Sequence, residues 1–337
     1  MAEGALLEPD DTAWAEALDR TRHDIYHLPG YARLDARLTG GSPAAFRYDE
    51  ADHVLLLPLI LRPVPATGLT DAISPYGYPG PVSDVAPVNT GFWARAAGAM
   101  VDLLSTHGVV TTFVRLHPLL PAPRVSLETA GTVVSHGETV SIDLTRTGEQ
   151  LWADTHRSHR NQVNKARRAG VEVIFDDWSL FDAWIDTYHA TMHRVGARDF
   201  YFFAREHFHR LRDGLRPHLH LATAVREGEV LGGNLFFEYD SIMHTHLQST
   251  RDAPIFHADK LLYHEVRLWG RERGNRVYHL GGGVGGVDDT LFRYKAAFGA
   301  GRQEFHTWRL ITDPAAYERL AGPPTPSSLA GRFPPYR

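Results

Sequence analysis

At 337 residues, with 43% hydrophobic and 22% charged side chains, the chain is long enough for two ordinary domains and has the composition of a folded protein. A net charge of −5 excludes a globally basic nucleic-acid coat but leaves room for a local basic patch. The absence of cysteine excludes disulfides, thiolate nucleophiles and cysteine-ligated metal centres.

The first twenty residues are acidic and lack an apolar core, so they do not read as a signal peptide. Residues 14–20 within them read as a short amphipathic helix. Residues 45–62 read as two strands around a polar turn at 49–52. The apolar run there, "VLLLPLIL", is too short to span a bilayer, so a cytoplasmic protein without stable membrane insertion is expected. A loop rich in Pro, Gly and Tyr follows, "SPYGYPGPVSD" at 74–84, then a helix near 92–105 and a strand over 109–116. The turn-forming stretches "LLPAPRV" and "RTGEQ" put a domain boundary near Gly148.

Beyond it, residues 151–170 read as one helix ending at Gly170, followed by the strand "VEVIF". A helix over 179–193 carries Leu180, Phe181, Trp184, Ile185 and Tyr188 on a helical period. A three-strand meander comes next: "HLATAVRE", "VLGGNLFFEYD" and "SIMHTHLQST". Then follow a helix over about 258–273, the strand "RVYHL", a glycine loop, a short helix and a last strand, "RQEFHTWRL". The tail "GPPTPSSLAGRFPPYR" is Pro-rich and reads as extended. "FRYDEADHVLLLPLIL" and "AVREGEVLGGNLFF" share the order strand, acidic turn, apolar strand, which suggests a duplicated α/β unit. The expected class is α/β with mixed α+β sheets. The domains are 1–148, with the tail 313–337 packing back on it, and 149–312.

The stretch "LGGGVGGVDD" at 280–289 satisfies G-x-G-x-x-G at Gly281, Gly283 and Gly286. A dinucleotide is nevertheless not expected. Its pyrophosphate would meet Asp288 and Asp289 at the helix start, and like charges repel there. Only about fifty residues remain, too few for a second nucleotide-binding half. No Gly-Lys-Ser/Thr follows, so a Walker A loop is excluded. One of the two aspartates is expected to cap the helix.

Arg157, Arg160, Lys165, Arg167 and Arg168 lie in a segment with no acid between Thr155 and Gly170. Such a helix is either a solvated face or a phosphate-contacting patch. The H-x-H pairs His218/His220 and His244/His246 would each share a strand face, a spacing compatible with a metal. No nearby carboxylate completes a ligand set, so no metal is expected.

The element order of residues 219–310 resembles the core of the GNAT acyltransferase fold. The fuller pattern resembles the Fem family of peptidyltransferases, which carry two GNAT-like domains in tandem and use aminoacyl-tRNA. Three stretches carry the resemblance: "SPYGYPGPVSD", "HRSHRNQVNKARRAGVEV" and "HLGGGVGGVDDTLFRYKAAFG". It covers about residues 45–310. Family members acting on cell-wall precursors often have a coiled-coil arm; no heptad run occurs here, so none is expected.

The resemblance implies attack of a free α-amine on the ester of an aminoacyl-tRNA. The enzyme has to align substrates, accept a proton and stabilise an oxyanion, with no cofactor beyond the tRNA co-substrate. It implies that Lys295 stabilises negative charge, with Tyr294 at the family's aromatic position. The ordinary alternative for Lys295 is a solvated helix lysine. "TYHATMHRVGARDFYFF" at 187–203 is similar to the segment lying along the acceptor's phosphate or sugar. Thr191, Arg194, Arg198 and Tyr201 are its polar candidates, and Phe200, Phe202 and Phe203 are expected in the core. Tyr76, Tyr78 and Asp84 line the loop expected at the domain cleft, with Asp84 a general-base candidate. The basic helix would contact the tRNA acceptor stem. His244 and His246 stand where many relatives have tyrosines, and a histidine there is placed to take the amine's proton.

The expected partners are aminoacyl-tRNA and a peptide-like acceptor, a natural-product intermediate or peptidoglycan precursor, met by a monomer. Two other readings stay open. One is a GNAT N-acyltransferase using acyl-CoA; the matching stretch "STRDAPIFHADKLL" has Arg251 but Asp252 and Pro254 in place of a glycine cradle. The other is a non-catalytic module that binds RNA or a peptide.

Overall fold

A computed structural model describes residues 2–251 and 256–337. It divides into two units: residues up to Gly137 with Glu304–Arg337, and Glu138–Gln303. Asp252 and Pro254, part of the acyl-CoA comparison, lie outside the described residues. Among the described residues, no helix is long and apolar enough to cross a membrane.

The first unit opens with β1 (Ala2–Leu7), α1 (Thr12–Arg20), α2 (Pro29–Thr39), β2 (Ser42–Glu50) and β3 (His53–Pro63). It continues with β4 (Thr70–Ile73), β5 (Val82–Ser83), α3 (Thr90–Thr106), β6 (Val109–Arg115) and α4 (Arg124–Leu127). β3 is apolar on both faces because both are covered, so Val54 to Ile60 are all buried. Strands β2, β3 and β4 form an antiparallel meander, α3 crosses over, and β6 returns parallel to β4.

The second unit repeats that plan. It runs through β7 (Thr132–Asp143, from Glu138 onward), α5 (Gly148–Asp154), α6 (Arg157–Arg168), β8 (Glu172–Phe175), α7 (Phe181–Arg194) and α8 (Arg205–Leu215). The meander follows as β9 (Leu219–Arg226), β10 (Glu229–Tyr239) and β11 (Ile242–Thr250). Helix α9 (Ala258–Glu272) crosses over, β12 (Val277–Gly281) lies parallel to β11, and α10 (Thr290–Ala296) ends the unit's helices. The two segments that echo each other in sequence are thus the β2–β3 and β9–β10 hairpins, at corresponding places in the two units.

The last strand, β13 (Gly301–Ile311), follows β12 in the chain yet pairs antiparallel with β6, while β7 follows β6 yet pairs with β12. This exchange moves the division from the expected Gly148 to Gly137, and assigns most of β13 to the first unit. "RTGEQ" is a helix start, not a linker: Thr147 and Gln150 form a capping box at α5.

Two further expectations need correction. The helix expected over 151–170 is interrupted at Thr155 and His156. Thr155 Oγ1 donates back to Leu151 O at 2.9 Å, His156 N donates to Ala297 O at 2.8 Å, and the His156 side chain caps α6. The tail is not simply extended. It holds α11 (Pro314–Ala321) and α12 (Pro326–Ala330), capped by Asp313 and Thr325, and Tyr317, Phe333 and Tyr336 pack with Val110.

Two pieces of packing position the second unit's site. Helix α6 buries His159, Val163 and Ala166, spaced along one face, toward α9, so its basic side chains point outward. Helix α9 approaches the sheet so closely that a Cβ at Gly270 would overlap Met243 Sδ.

Candidate functional site

Tyr294 and Lys295 are neighbours on α10, so they leave the helix about 100° apart. Each therefore meets a different environment. Lys295 is half-buried, and its Nζ donates to Gly282 O at 2.7 Å. Burial lowers the ammonium to about 8, against the opposing pull of Asp289. It is not a solvated surface lysine.

Asp289 is the aspartate that caps. One carboxylate oxygen accepts from Phe292 N and the other from Val284 N, both at 2.8 Å, so it ties the helix start to the glycine loop. Burial pushes its pKa up, but backbone N–H donors from Phe292, Val284 and Leu291 outweigh this and hold it below the usual range. Asp288 is exposed and pairs with Arg293 at 3.0 Å. The glycines serve the turn: Gly281, Gly285 and Gly286 have φ of 76°, 70° and 86°. A Cβ at Gly283 would overlap Val287 O.

Tyr294 points toward α6 and α9. Its ring packs against His159, Tyr263 and Phe298, with Lys260 Nζ 4.9 Å from the ring centre. Its hydroxyl is buried and faces the Asp259 carboxylate and the amide of Gln248 on β11. Asp259 in turn pairs with Lys260 at 2.7 Å. Burial and then Asp259 push the phenol pKa well above its ordinary value. Gln248, Asp259, Lys260 and His159 were not singled out from sequence. The adjacency of an acid and a lysine in the first turn of α9 is the one available signal.

Of the five basic residues on α6, four are exposed: Arg157, Lys165, Arg167 and Arg168. Arg167 is paired with Glu265 of α9 at 2.8 Å. Arg160 reaches the Trp152 and Ala153 carbonyls at the end of α5, where its charge suits the helix dipole. His159 Nε2 donates to Tyr294 O at 3.2 Å, joining the basic helix to α10.

The acceptor-segment residues fall at a different place, the end of β11. Thr191 is a staple: its hydroxyl accepts from Thr250 N at 3.0 Å and lies within hydrogen-bond reach of Thr250 O and Thr187 O. Arg194 donates to Thr250 Oγ1 at 2.9 Å. Arg198 lies over the Tyr201 ring at 6.0 Å. Phe203 is buried as expected, whereas Phe200 is 45% exposed and not part of the core.

His244 is buried with its Nδ1 3.3 Å from that of His279. His246 occupies a β-bulge, since Phe236 pairs with Thr245 and Leu235 with Leu247, and its ring rests on Phe237. Burial, then His207 and His244, push His246 down to about 3, far too weak a base to take a proton from an amine. The other H-x-H pair also departs from expectation. His220 does have carboxylates at hand, Asp176 at 2.8 Å and Glu238 at 3.3 Å. Burial opposes its charge, but the two acids prevail and raise its pKa.

In the first unit, Asp84 has its oxygens occupied: one pairs with Arg20 at 2.7 Å and the other accepts Val54 N at 2.9 Å. It fastens β3 and is not a free general base. Tyr76 is tied through its backbone, its O accepting from Tyr31 and its N donating to Asp35. The Tyr78 ring packs edge-on against Tyr26 and Phe305.

No protein-family model matches the chain, and no curated protein is similar to it. Among solved structures it is similar to FemX, with a TM-score of 0.72 and 13% identity over 95% of this chain and 100% of that one. L-PGS from Bacillus licheniformis gives 0.58 and 12% over 97% and 99%. The C-terminal domain of a putative lysylphosphatidylglycerol synthetase from Agrobacterium fabrum gives 0.54 and 15% over 90% and 94%. The chain shares the fold of FemX, and its two units repeat one plan, as the resemblance implies.

Proposed function

We propose that the chain is an aminoacyltransferase that moves an amino acid from the ester of an aminoacyl-tRNA to the amine of a peptide-like acceptor. The observation that carries this reading is α10, whose half-buried Lys295 ammonium is held by a carbonyl of the glycine loop. The fold shared with FemX and with a lysylphosphatidylglycerol synthetase domain supports it.

In the transfer, the amine nitrogen attacks the ester carbonyl carbon. A C–N bond forms, the C–O bond to the ribose breaks, the amine loses a proton and the ribose oxygen gains one. Lys295 spends one N–H on Gly282 O and keeps two for the developing oxyanion. A proton held with a pKa of about 8 is also suited to passing to the ribose oxygen. The buried Tyr294 hydroxyl, with the Gln248 amide and the Asp259 carboxylate beside it, supplies a polar group for the aminoacyl end. Arg157, Lys165 and Arg168 form the exposed cationic face available to tRNA phosphates.

The acyl-CoA reading is less supported. Asp259 stands in the first turn of α9, where a pyrophosphate would need uncompensated N–H groups and positive field.

The test is transfer from charged tRNA to a panel of amine acceptors by wild type, Lys295→Ala and Lys295→Arg. Loss of one oxyanion donor lowers the rate by about 10²–10³, so Lys295→Ala should fall by that amount. Wild-type activity should decline as pH rises through about 8, where the ammonium is lost, and Lys295→Arg should move that limb to higher pH. A Lys295→Ala enzyme with the wild-type rate would remove Lys295 from the chemistry. Micromolar binding of acetyl-CoA by calorimetry would replace this reading with the acyl-CoA one.

A further inference from the structure

The first unit holds a charged cluster that the transfer chemistry does not use. It lies where the parallel strands β4 and β6 end. There Ser74 N donates to Phe113 O at 2.8 Å, and Ser74 Oγ accepts from Arg115 N at 3.0 Å. Arg115, the last residue of β6, lies over the rings of Phe113 at 5.2 Å and Tyr76 at 5.8 Å. One terminal nitrogen donates to Ser74 O at 3.1 Å, and among the described residues the guanidinium has no other hydrogen bond. The side chain is enclosed by protein yet not sealed from solvent.

Asp35 of α2 is the leading opposite charge acting on Arg115, but the two form no ion pair; the Asp35 carboxylate accepts from Tyr76 N at 3.0 Å instead. Burial raises the Asp35 pKa, with the Tyr76 N–H, Arg115 and Arg62 acting the other way. Behind it, fully buried Asp71 is shared by Arg62 at 2.9 Å and Arg337 at 2.6 Å. Asp71 is thus matched by two guanidinium groups, while the Arg115 guanidinium has Asp35 nearby but no carboxylate paired with it. A guanidinium largely withdrawn from water and without a paired anion is costly until one meets it.

We propose that this cluster is a binding site for the carboxylate of a small molecule or peptide, held on the open edge of the Arg115 guanidinium. A planar carboxylate fits the fork of an arginine whose faces are already against aromatic rings. A dianionic phosphate would be repelled more strongly by Asp35. The site is independent of Lys295 and of tRNA, so its test does not rest on the transfer reaction.

The experiment is calorimetric or NMR titration of the full chain with N-acetyl-alanyl-alanine and with its C-terminal amide. The free acid should bind and the amide should bind about tenfold more weakly or not at all. Arg115→Lys, which loses the bidentate fork, should weaken binding of the acid about tenfold while circular dichroism stays native. Asp35→Asn keeps an acceptor for Tyr76 N but removes a like charge, and should tighten binding several-fold. Equal binding of acid and amide, no saturable binding of the acid, or weaker binding by Asp35→Asn would overturn the proposal. Inorganic phosphate outcompeting the acid at equal concentration would overturn the assignment to carboxylate.

Discussion

Replacing Asp289 by Ala should loosen the glycine loop and α10 together, because one carboxylate serves both. Its hydrogen bond to Phe292 N is a helix N-cap, whose loss costs about 1 kcal/mol. Its second bond, to Val284 N, adds about another 1 kcal/mol. A sum of about 2 kcal/mol predicts a Tm drop of roughly 4–8 °C for a folding unit of this size. The loss should also be local. Hydrogen exchange at the Val284 and Phe292 amides should quicken while amides in the β9–β11 meander stay protected. Asp289 is also the charge that props up the Lys295 pKa, so the variant's ammonium should titrate below about 8. Differential scanning calorimetry and amide exchange measure the first two, and the alkaline limb of activity the third. A Tm within 1 °C of wild type, together with unchanged exchange at both amides, would refute the reasoning.

Thr191→Val keeps the shape but leaves Thr250 N without its acceptor, and should cost about 1–3 kcal/mol, with Thr191→Ser recovering most of it. Equal melting temperatures for the Val variant and wild type would reassign Thr191 from staple to acceptor contact. The second unit should be acid-labile. Burial lowers His207 to about 4 and both His246 and His264 to about 3. Below pH 6.5 the unfolded chain takes up protons that the folded state refuses. Stability present at pH 7 is therefore lost as pH falls toward 4, by at most about 1.4 kcal/mol per pH unit for each group. His220, whose pKa is raised, works with the opposite sign. Urea unfolding at several pH values should show His246→Phe with a shallower acid slope; an identical slope would count against the burial argument.

Much of the fold was legible because hydrophobic period survives where one face is covered. The β2–β3 and β9–β10 hairpins, α3, α7 and α9 stand where the pattern put them. The strand exchange was not legible, since nothing local in "RQEFHTWRL" says which sheet receives it. The break at Thr155 depends on a bond from His156 N to Ala297 O, far along the chain, and no window around residue 155 contains that partner. The same holds for the site. The resemblance singled out Lys295, and position before the helix pointed to a cap at one of Asp288 and Asp289 without saying which. The environment that lowers His246, and the Arg20 that occupies Asp84, come from contacts between distant segments. A histidine or an aspartate reads as a base in sequence until its neighbours are known.

The glycine run shows why a pattern match is not yet a phosphate site. A phosphate loop works because its backbone N–H groups are left free to point at the anion. Here several of those donors are already taken: Val284 N and Phe292 N by Asp289, and Gly286 N by Gly283 O. Asp289 stands where a phosphate would, as an anion built into the chain. One loop group that does reach a side chain is a carbonyl, Gly282 O, and it accepts from a cation, Lys295. With Asp289 in place the loop is less suited to negative charge, and its Gly282 carbonyl holds an ammonium. That arrangement suits a transient oxyanion better than a resident nucleotide, and it follows from a single aspartate three residues before Phe292.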